Sequence, residues 1–272
     1  MPTSYRTADE IEYEIFGNEM QYVEIVLDPG EVAISEAGAM MYMSQQIRMQ
    51  TVFGDPSAPA NRSGFFDKLM SAGKRVLTGE SLFMTTYTNE GSQPSRVAFA
   101  APYPGKLIPM HLDQLGGELI CQKDSLLVAA RGIQIGIAFQ KNIMTGLFGG
   151  EGFIMQRLTG DGVAVLHAGG TPMHRQLQAG EKLRIDTGCI VALAPSVRYD
   201  VETVGGIKNI FGGEGLFLAT LTGPGDIWLQ SLPFSRLAGR MLANARGSTR
   251  TRDEGSLLAG GFLGSMIMGD GD

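Results

Sequence analysis

The residues most able to support chemistry in this sequence lie in glycine-rich loops. The pentapeptide FGGEG occurs at residues 148–152 and again at 211–215. Such a loop can hold a phosphate with its backbone N–H groups, or it can form a turn that each copy of a repeated fold requires. Neither loop contains G-x-G-x-x-G, and the nearest P-loop candidate, SAGKRVLTGES from Ser71, has Arg75 where Ser or Thr is needed. Phosphate and dinucleotide binding are therefore disfavoured.

The turn interpretation gives the glycines of both pentapeptides a conformational role, because positive φ is cheap only for glycine. The predicted turn residues are Gly149, Gly150, Gly152, Gly212, Gly213 and Gly215.

Glutamates recur near these loops and near a second, upstream motif. The recurring residues are Glu31, Glu80, Glu118, Glu151, Glu181 and Glu214. A pair of carboxyl groups can serve as general acid and base. Recurrence in every copy instead indicates a structural role, such as accepting backbone N–H bonds in turns.

Metal-binding and nucleophilic residues are sparse. The histidines are His111, His167 and His174, and they form no H-x-H or H-x-x-E-H cluster, although a β fold could still bring two of them together. Cys121 and Cys189 lie far apart and outside any C-x-x-C pair, so we expect reduced, small core residues. No G-x-S-x-G motif is present. We predict no catalytic residue, no cofactor and no metal ligand.

The elements that carry these residues follow an internal repeat. FGGEGFIMQRLTGDGVAVL and FGGEGLFLATLTGPGDIWL match at ten of nineteen positions with an offset of 63 residues. A more divergent first copy contains DPGE at 28–31 and LTGE at 77–80, with an insertion near 51–66. The predicted division is a first unit at 1–104, a second at 105–170, a third at 171–233, and a C-terminal segment at 234–272.

Short apolar runs bounded by Gly, Pro, Asn or Asp predict strands. Examples are YVEIVL from Tyr22, LIPMHL from Leu107, GVAVL from Gly162, IVALA from Ile190 and GDIWL from Gly225. The TGDG and TGPG strings at 159–162 and 222–225 predict turns. The sequence is therefore predicted to be all-β.

The C-terminal segment has a different character. FSRLAGRMLANARGSTRTR predicts an amphipathic basic helix with Phe234, Leu237, Met241 and Leu242 on one face. The uncharged, glycine-rich run at 255–269 includes Phe262 and Leu263 and is too short to span a membrane. These residues could dock on a membrane surface, on a neighbouring subunit or on their own domain.

Charge and the N-terminal sequence bear on partners and location. The net charge is -6 and the pI about 5.2, which argues against a nucleic-acid partner. The N-terminus has no apolar signal region, and no run reaches the length of a membrane span. We therefore expect a cytoplasmic protein that can associate peripherally with a membrane.

The three units, the FGGEG and LTG strings and the apolar tail together resemble the altered-inheritance-of-mitochondria twenty-four family and its bacterial relatives, over residues 22–234. The resemblance implies a double-stranded β-helix like that of the tryptophan RNA-binding attenuator protein, with a tendency to oligomerise. It also implies a mitochondrial inner-membrane role for eukaryotic members, but this chain lacks an Arg-rich transit segment, which favours a bacterial cytoplasm. The family supplies no catalytic residues.

The leading expectation is a non-enzymatic oligomeric scaffold or binding protein, a trimer being favoured. An RNA- or small-ligand-binding module is the first alternative and a cupin-like metalloenzyme the second. Fold alone does not decide among these classes.

Overall fold

The protein is almost entirely β-sheet. In the computed structural model, the described residues are 7–36, 38–53, 83–141, 153–204 and 216–248. They form nineteen strands and one α-helix, α1 (Phe234–Ser248). In chain order the strands are β1 (Glu12–Phe16), β2 (Tyr22–Leu27), β3 (Val32–Glu36), β4 (Met40–Met43), β5 (Ile47–Phe53), β6 (Phe83–Asn89), β7 (Ser95–Ala100), β8 (Gly105–His111), β9 (Glu118–Gln122), β10 (Leu126–Ala130), β11 (Gln134–Lys141), β12 (Phe153–Thr159), β13 (Val163–Gly169), β14 (Pro172–Leu177), β15 (Lys182–Asp186), β16 (Ile190–Leu193), β17 (Arg198–Val204), β18 (Leu216–Thr222) and β19 (Gly225–Gln230).

These strands confirm the all-β prediction. Each of the five quoted apolar runs coincides with a strand: β2, β8, β13, β16 and β19. The predicted C-terminal helix is also present and begins at Phe234. The insertion predicted near 51–66 overlaps a strand at its start, because β5 continues through Phe53. Residues 54–66 lie outside the described residues.

The strands form four antiparallel sheets within the described part of the chain. One six-stranded sheet has the order β5-β6-β3-β10-β13-β8, and the other has the order β11-β12-β9-β16-β19-β14. Adding six to each strand number of the first sheet reproduces the order of the second. The smaller sheets have the orders β1-β2-β7-β4 and β15-β18-β17.

The smaller sheets follow halves of the same pattern. The order β15-β18-β17 corresponds to β9-β12-β11, while β2-β7-β4 corresponds to β8-β13-β10. In the six-stranded sheets the two halves meet where β3 pairs with β10 and where β9 pairs with β16. We call these two pairings the junctions. The corresponding strands β15 and β4 each end their sheet instead.

Two hydrophobic clusters lie beneath the sheets. The larger one extends from Ile11 to Trp228 and includes Tyr87 and Phe99, whose rings meet edge to face with centroids 5.0 Å apart. The smaller one is built mainly from the third predicted unit and includes Leu177 and Leu221, together with Phe153 of β12. β10, β13 and β16 are buried at every residue, as expected for strands covered on both faces.

The two predicted TG-x-G turns are present. Gly160 follows β12 with φ 151°, and Gly225 begins β19 with φ 143°. A side chain at Gly225 would also meet the Ser196 hydroxyl 2.5 Å from its Cβ. Glycine is therefore required at this turn for both conformation and space.

Candidate interaction surfaces

The edge of β4 exposes a row of uncharged side chains. β4 pairs with β7 along one side, and in the described chain its other side ends the sheet. Met41 is 56% exposed, Tyr42 40% and Met43 38%. Natural edge strands usually carry charges or proline that discourage pairing with other chains, and β4 has neither. This edge is therefore competent to add a further strand.

A charged cluster holds one of these side chains in place. The Tyr42 hydroxyl donates to Glu24 Oε2, and Arg96 Nη1 donates to Glu24 Oε1. The hydrogen bond from Tyr42, together with Arg96, holds the pKa of Glu24 below its usual range despite an opposing effect of burial. The same hydrogen bond raises the pKa of Tyr42 to about 12. Tyr42 is thus fixed on the edge strand as a neutral phenol.

The edge of β15 has a more polar composition. Lys182 and Arg184 are exposed, whereas Leu183 and Ile185 are half-buried. β15 pairs with β18 along one side and ends its sheet on the other, within the residues that the structure describes. Charged residues on an edge strand limit indiscriminate pairing while leaving its N–H and C=O groups accessible. We call β4 and β15 the open edges.

The strands that correspond to β4 and β15 pair with each other at the two junctions. At one junction Val128 lies opposite Ser35, and at the other Ala192 lies opposite Cys121. All four residues are completely buried. Burial raises the pKa of the Cys121 thiol, which supports its interpretation as a small core residue.

The C-terminal helix is anchored at its first turn. The ring of Phe234 lies 5.5 Å from that of Tyr103, and Arg236 Nη2 donates to Asp186 Oδ2 over 3.1 Å. Leu237 is half-buried, whereas Phe234 remains 53% exposed and Met241 63% exposed. The predicted apolar face therefore leaves two of its residues accessible to solvent. The Leu242 side chain, Phe262 and Leu263 lie outside the described residues.

The glycines of the two pentapeptides cannot be compared with the structure. Gly149, Gly150, Gly152, Gly212, Gly213 and Gly215 lie outside the described residues, so their turn role stays a prediction. The strands that follow the pentapeptides are described: β12 begins at Phe153 and β18 at Leu216.

Two of the recurring glutamates brace turns. Glu31 accepts the Asp28 N–H at 2.9 Å, and Glu181 accepts the Gln178 N–H at 2.8 Å. Burial raises the pKa of Glu31, whereas the hydrogen bond from Gln178 lowers the pKa of the half-buried Glu181. Both fit the predicted structural role.

Glu118 differs from these two residues, because it forms an ion pair with Arg157 across strands β9 and β12. The backbone carbonyls of Glu31 and Glu181 accept the N–H groups of Asn89 and Gly223. At the corresponding place near Glu118, the Gly117 carbonyl accepts the Gly160 N–H at 3.0 Å. A 3-10 turn at Leu112–Leu115 precedes Gly117 and displaces the alignment by one residue. Glu80, Glu151 and Glu214 lie outside the described residues.

The three histidines lie in separate places. His111 contacts the Tyr13 hydroxyl at 3.0 Å, and His174 stacks on Trp228 and contacts Asp226 Oδ1 at 2.8 Å. His167 is buried against the edge of the Tyr103 ring, with centroids 4.4 Å apart. Burial lowers its pKa to about 4, so it is neutral at neutral pH. Among the described residues no three His, Cys, Asp or Glu side chains are grouped so that they could hold a metal ion.

A polar cleft at the start of α1 was not predicted from the sequence. The buried Gln230 links two sheets there, because its Oε1 accepts the Gly169 N–H at 2.7 Å and its Nε2 donates to the Gly188 carbonyl at 2.8 Å. Gln122 lines the same cleft and is also buried. The side chains come from β9, β19 and the helix start, so no local motif could have identified them.

The open edges were also missed, although one sequence signal existed. MMYM at 40–43 is an uncharged strand in which three of four residues are methionine. Its position at the end of a sheet depends on which distant strands pair, and a local pattern does not contain that information.

Within the part of the chain that the structure describes, no helix combines the length and apolar character needed to cross a membrane.

Comparisons with known proteins agree with the architecture. An uncharacterized protein of Streptococcus pyogenes serotype M6 is 27% identical over 223 residues, which is 80% of this chain and 84% of that protein. The crystal structure of a Streptococcus pyogenes protein superposes with a TM-score of 0.68 at 24% identity, covering 86% of this chain and all of the other, and this likeness shows the fold alone. The family model described as mitochondrial biogenesis AIM24 matches residues 13–232. The chain therefore belongs to the AIM24 family.

Proposed function

We propose that this protein is a non-enzymatic scaffold that assembles from several copies of itself through its open sheet edges. The observation that carries this proposal is the unpaired edge of β4, where Met41, Tyr42 and Met43 are exposed and uncharged. Apolar edge strands of this kind pair with strands of other chains. Solvent-exposed apolar groups on such an edge gain free energy when a second strand covers them.

A structural role for the recurring polar residues supports a function without catalysis. Glu31 and Glu181 brace turns, and Glu118 forms an ion pair between two strands. Gln230 bonds to backbone groups of other elements. These contacts serve the fold, which is the expected use of polar residues in a scaffold.

Three repeated units and a double-stranded β-helix remain part of the proposal. The offset of six in strand order supports the repeat. A shared irregularity supports it further, because β4·β7, β10·β13 and β16·β19 each skip one residue, at Met41, Leu127 and Val191 respectively. A bulge at the same place in three strand pairs supports a common repeated unit.

Sedimentation velocity tests self-association directly. We expect the wild-type protein to sediment as an oligomer and Met43→Lys to shift it toward the monomer, because a desolvated ammonium at the edge opposes strand addition. Met20→Lys is the control, since Met20 is also an exposed methionine, at 56% against 38% for Met43, but lies outside the strands. A wild-type protein that stays monomeric at high micromolar concentration would overturn the proposal.

A second candidate function is peripheral membrane contact through α1. Phe234 and Met241 are exposed and two turns apart on one face, and Arg240 is exposed on the same helix. A basic helix with an exposed apolar face can lie on an anionic membrane surface. We expect vesicles of phosphatidylcholine and phosphatidylglycerol to co-sediment the wild-type protein and to retain less Met241→Glu, with Met20→Glu as control. Equal binding of both variants would remove this function.

A further inference from the structure

We infer that β15 of one copy pairs antiparallel with β4 of the next copy, with Tyr42 opposite Ile185 and Met43 opposite Arg184. This inference rests on the proposed self-association and specifies which edges meet and in which register. It makes the contact head-to-tail, since each copy uses β4 for one neighbour and β15 for the other.

The register follows from the two junctions within the chain. At the first, Val128 lies opposite Ser35 and Ala129 opposite Ile34. At the second, Ala192 lies opposite Cys121 and Leu193 opposite Ile120. Both junctions are antiparallel. In each six-stranded sheet, the junction is the pairing between the third and the fourth strand of the order.

The bulge locates the corresponding residues on β4. In β10 the first residue after the skipped position is Val128, which pairs with Val165. In β16 it is Ala192, and in β4 it is Tyr42, which pairs with Ala98. Tyr42 therefore occupies the place of Val128 and Ala192, and Met43 the place of Ala129 and Leu193.

The hairpin registers locate the corresponding residues on β15. Its pairing with β18 begins with Lys182 opposite Thr222, as β3 begins with Val32 opposite Thr88 and β9 with Glu118 opposite Thr159. Counting three residues onward from Val32, Glu118 and Lys182 gives Ser35, Cys121 and Ile185, respectively. Ile185 thus stands where its counterparts face Val128 and Ala192.

The side chains of the two open edges are compatible in this register. Tyr42 would cover the half-buried Ile185, and the flexible Met43 could pack along the aliphatic stem of Arg184. Within the described residues of one chain the two strands do not pair with each other, and each ends its sheet. A second copy supplies the missing strand and extends the junction pattern from one chain to the next.

Disulfide trapping between two singly substituted proteins tests the register. Met43→Cys and Arg184→Cys are introduced separately in a Cys189→Ser background, and Cys121 is left in place because it is fully buried. Both substituted residues are exposed, so folding should be retained. Facing residues of antiparallel strands have the Cα separation that a disulfide requires. We expect disulfide-linked dimers in the mixture and not in either protein alone.

Two further mixtures make the test specific. Met43→Cys with Ile185→Cys is offset by one residue, which places the thiols on opposite faces, so little linkage is expected. Tyr42→Cys with Ile185→Cys restores the register and should link again. This second pair also keeps the inference testable if the first pair fails to fold.

The outcomes separate this inference from the proposed function. Linked dimers formed by Met43→Cys alone would indicate that β4 meets β4 of the partner, which overturns the head-to-tail register while leaving self-association intact. Oligomers that give no linkage in any mixture would overturn the use of these edges. An unoxidised wild-type protein that sediments only as a monomer would overturn the proposed function as well.

Discussion

The junctions and the open edges occupy corresponding places in the strand order but carry different side chains. At the junctions Val128, Ala129, Ala192 and Cys121 are buried completely. At the open edges the corresponding residues are larger or charged, and Tyr42 and Met43 remain exposed. The junction residues are uncharged and pack in the interior of one chain, whereas the long side chains of Tyr42 and Met43 lie at the surface. The two places thus share their position in the strand order but differ in the size, charge and exposure of their side chains.

The largest difference in stability should appear when a lysine is introduced at a junction and, in a second variant, at the corresponding place on an open edge. Ala129→Lys buries an ammonium at a junction and should lower the free energy of unfolding by more than about 4 kcal/mol or prevent folding. Met43→Lys, at the corresponding place on β4, should change monomer stability by less than about 0.5 kcal/mol. Urea unfolding monitored by circular dichroism measures both. Similar losses for the two variants would show that the β4 edge is part of the core.

A pH effect should distinguish β13 from β19, the strands that pair with β10 and β16 beside the two junctions. Leu166 pairs with Leu126 of β10, and Leu229 pairs with Ile190 of β16. The residues that follow them, His167 and Gln230, are both buried. Burial places the pKa of folded His167 at about 4, below the usual value of 6.5. Between these values the unfolded chain binds the additional proton, so stability is lost as the pH falls, by at most about 3 kcal/mol.

Urea titrations at several pH values check this expectation. The wild-type protein should lose stability between pH 6.5 and pH 4, and His167→Gln should lose clearly less over the same interval. Identical slopes for the two proteins would mean that His167 does not lie buried and neutral in the folded state.

An intermediate effect is expected where the two six-stranded sheets are tied together. Gln230→Ala removes the partners of the Gly169 N–H and the Gly188 carbonyl, leaving both unsatisfied. We expect a loss of about 2 kcal/mol of unfolding free energy. Gln178→Ala is the control, because Gln178 is exposed and its hydrogen bonds with Glu181 use its backbone N–H and carbonyl, which the substitution keeps. Equal midpoints in thermal denaturation for both variants would contradict this role of Gln230.

The smallest effect concerns the strength of association. Tyr42→Phe keeps the ring at the open edge but removes the hydroxyl that donates to Glu24. The hydrogen bond that positions the ring contributes about 1 kcal/mol to association, so its loss should weaken self-association about fivefold in sedimentation equilibrium. The change should leave the junctions and the monomer fold intact. Unchanged or stronger association would show that the hydrogen bond does not position the edge.

Acidification should reproduce that change in the wild-type protein. The folded pKa of Glu24 lies below its usual value of 4.5, so its contribution is present above that value and is lost as the pH falls through the folded pKa. Tyr42→Phe should be less sensitive over this acid range, because it has already lost the hydrogen bond that depends on the carboxylate.

Much of the fold could be predicted because its signals are local. The run YVEIVL matches β2, and the glycines of TGDG and TGPG supply the backbone conformations of two turns. The apolar spacing from Phe234 likewise predicted α1. These features depend on neighbouring residues, so periodicity and turn chemistry were sufficient.

The candidate site could not be predicted in the same way. β4 is recognisable as a short apolar run, but its exposure depends on its pairing with β7, more than fifty residues later, and on the position of β15. The predicted docking residues Phe234 and Met241 were accessible, whereas Gln230 acquired its role from partners on other elements. Long-range strand order decides these features.

Hydrogen exchange measured by mass spectrometry at several protein concentrations tests the central claim most directly. The open edges should serve as contacts between copies, so exchange at residues 40–43 and 182–186 should slow as concentration rises. Exchange at residues 128–130, inside a junction, should be slow throughout. Exchange at both open edges that stays the same at every concentration would contradict the account.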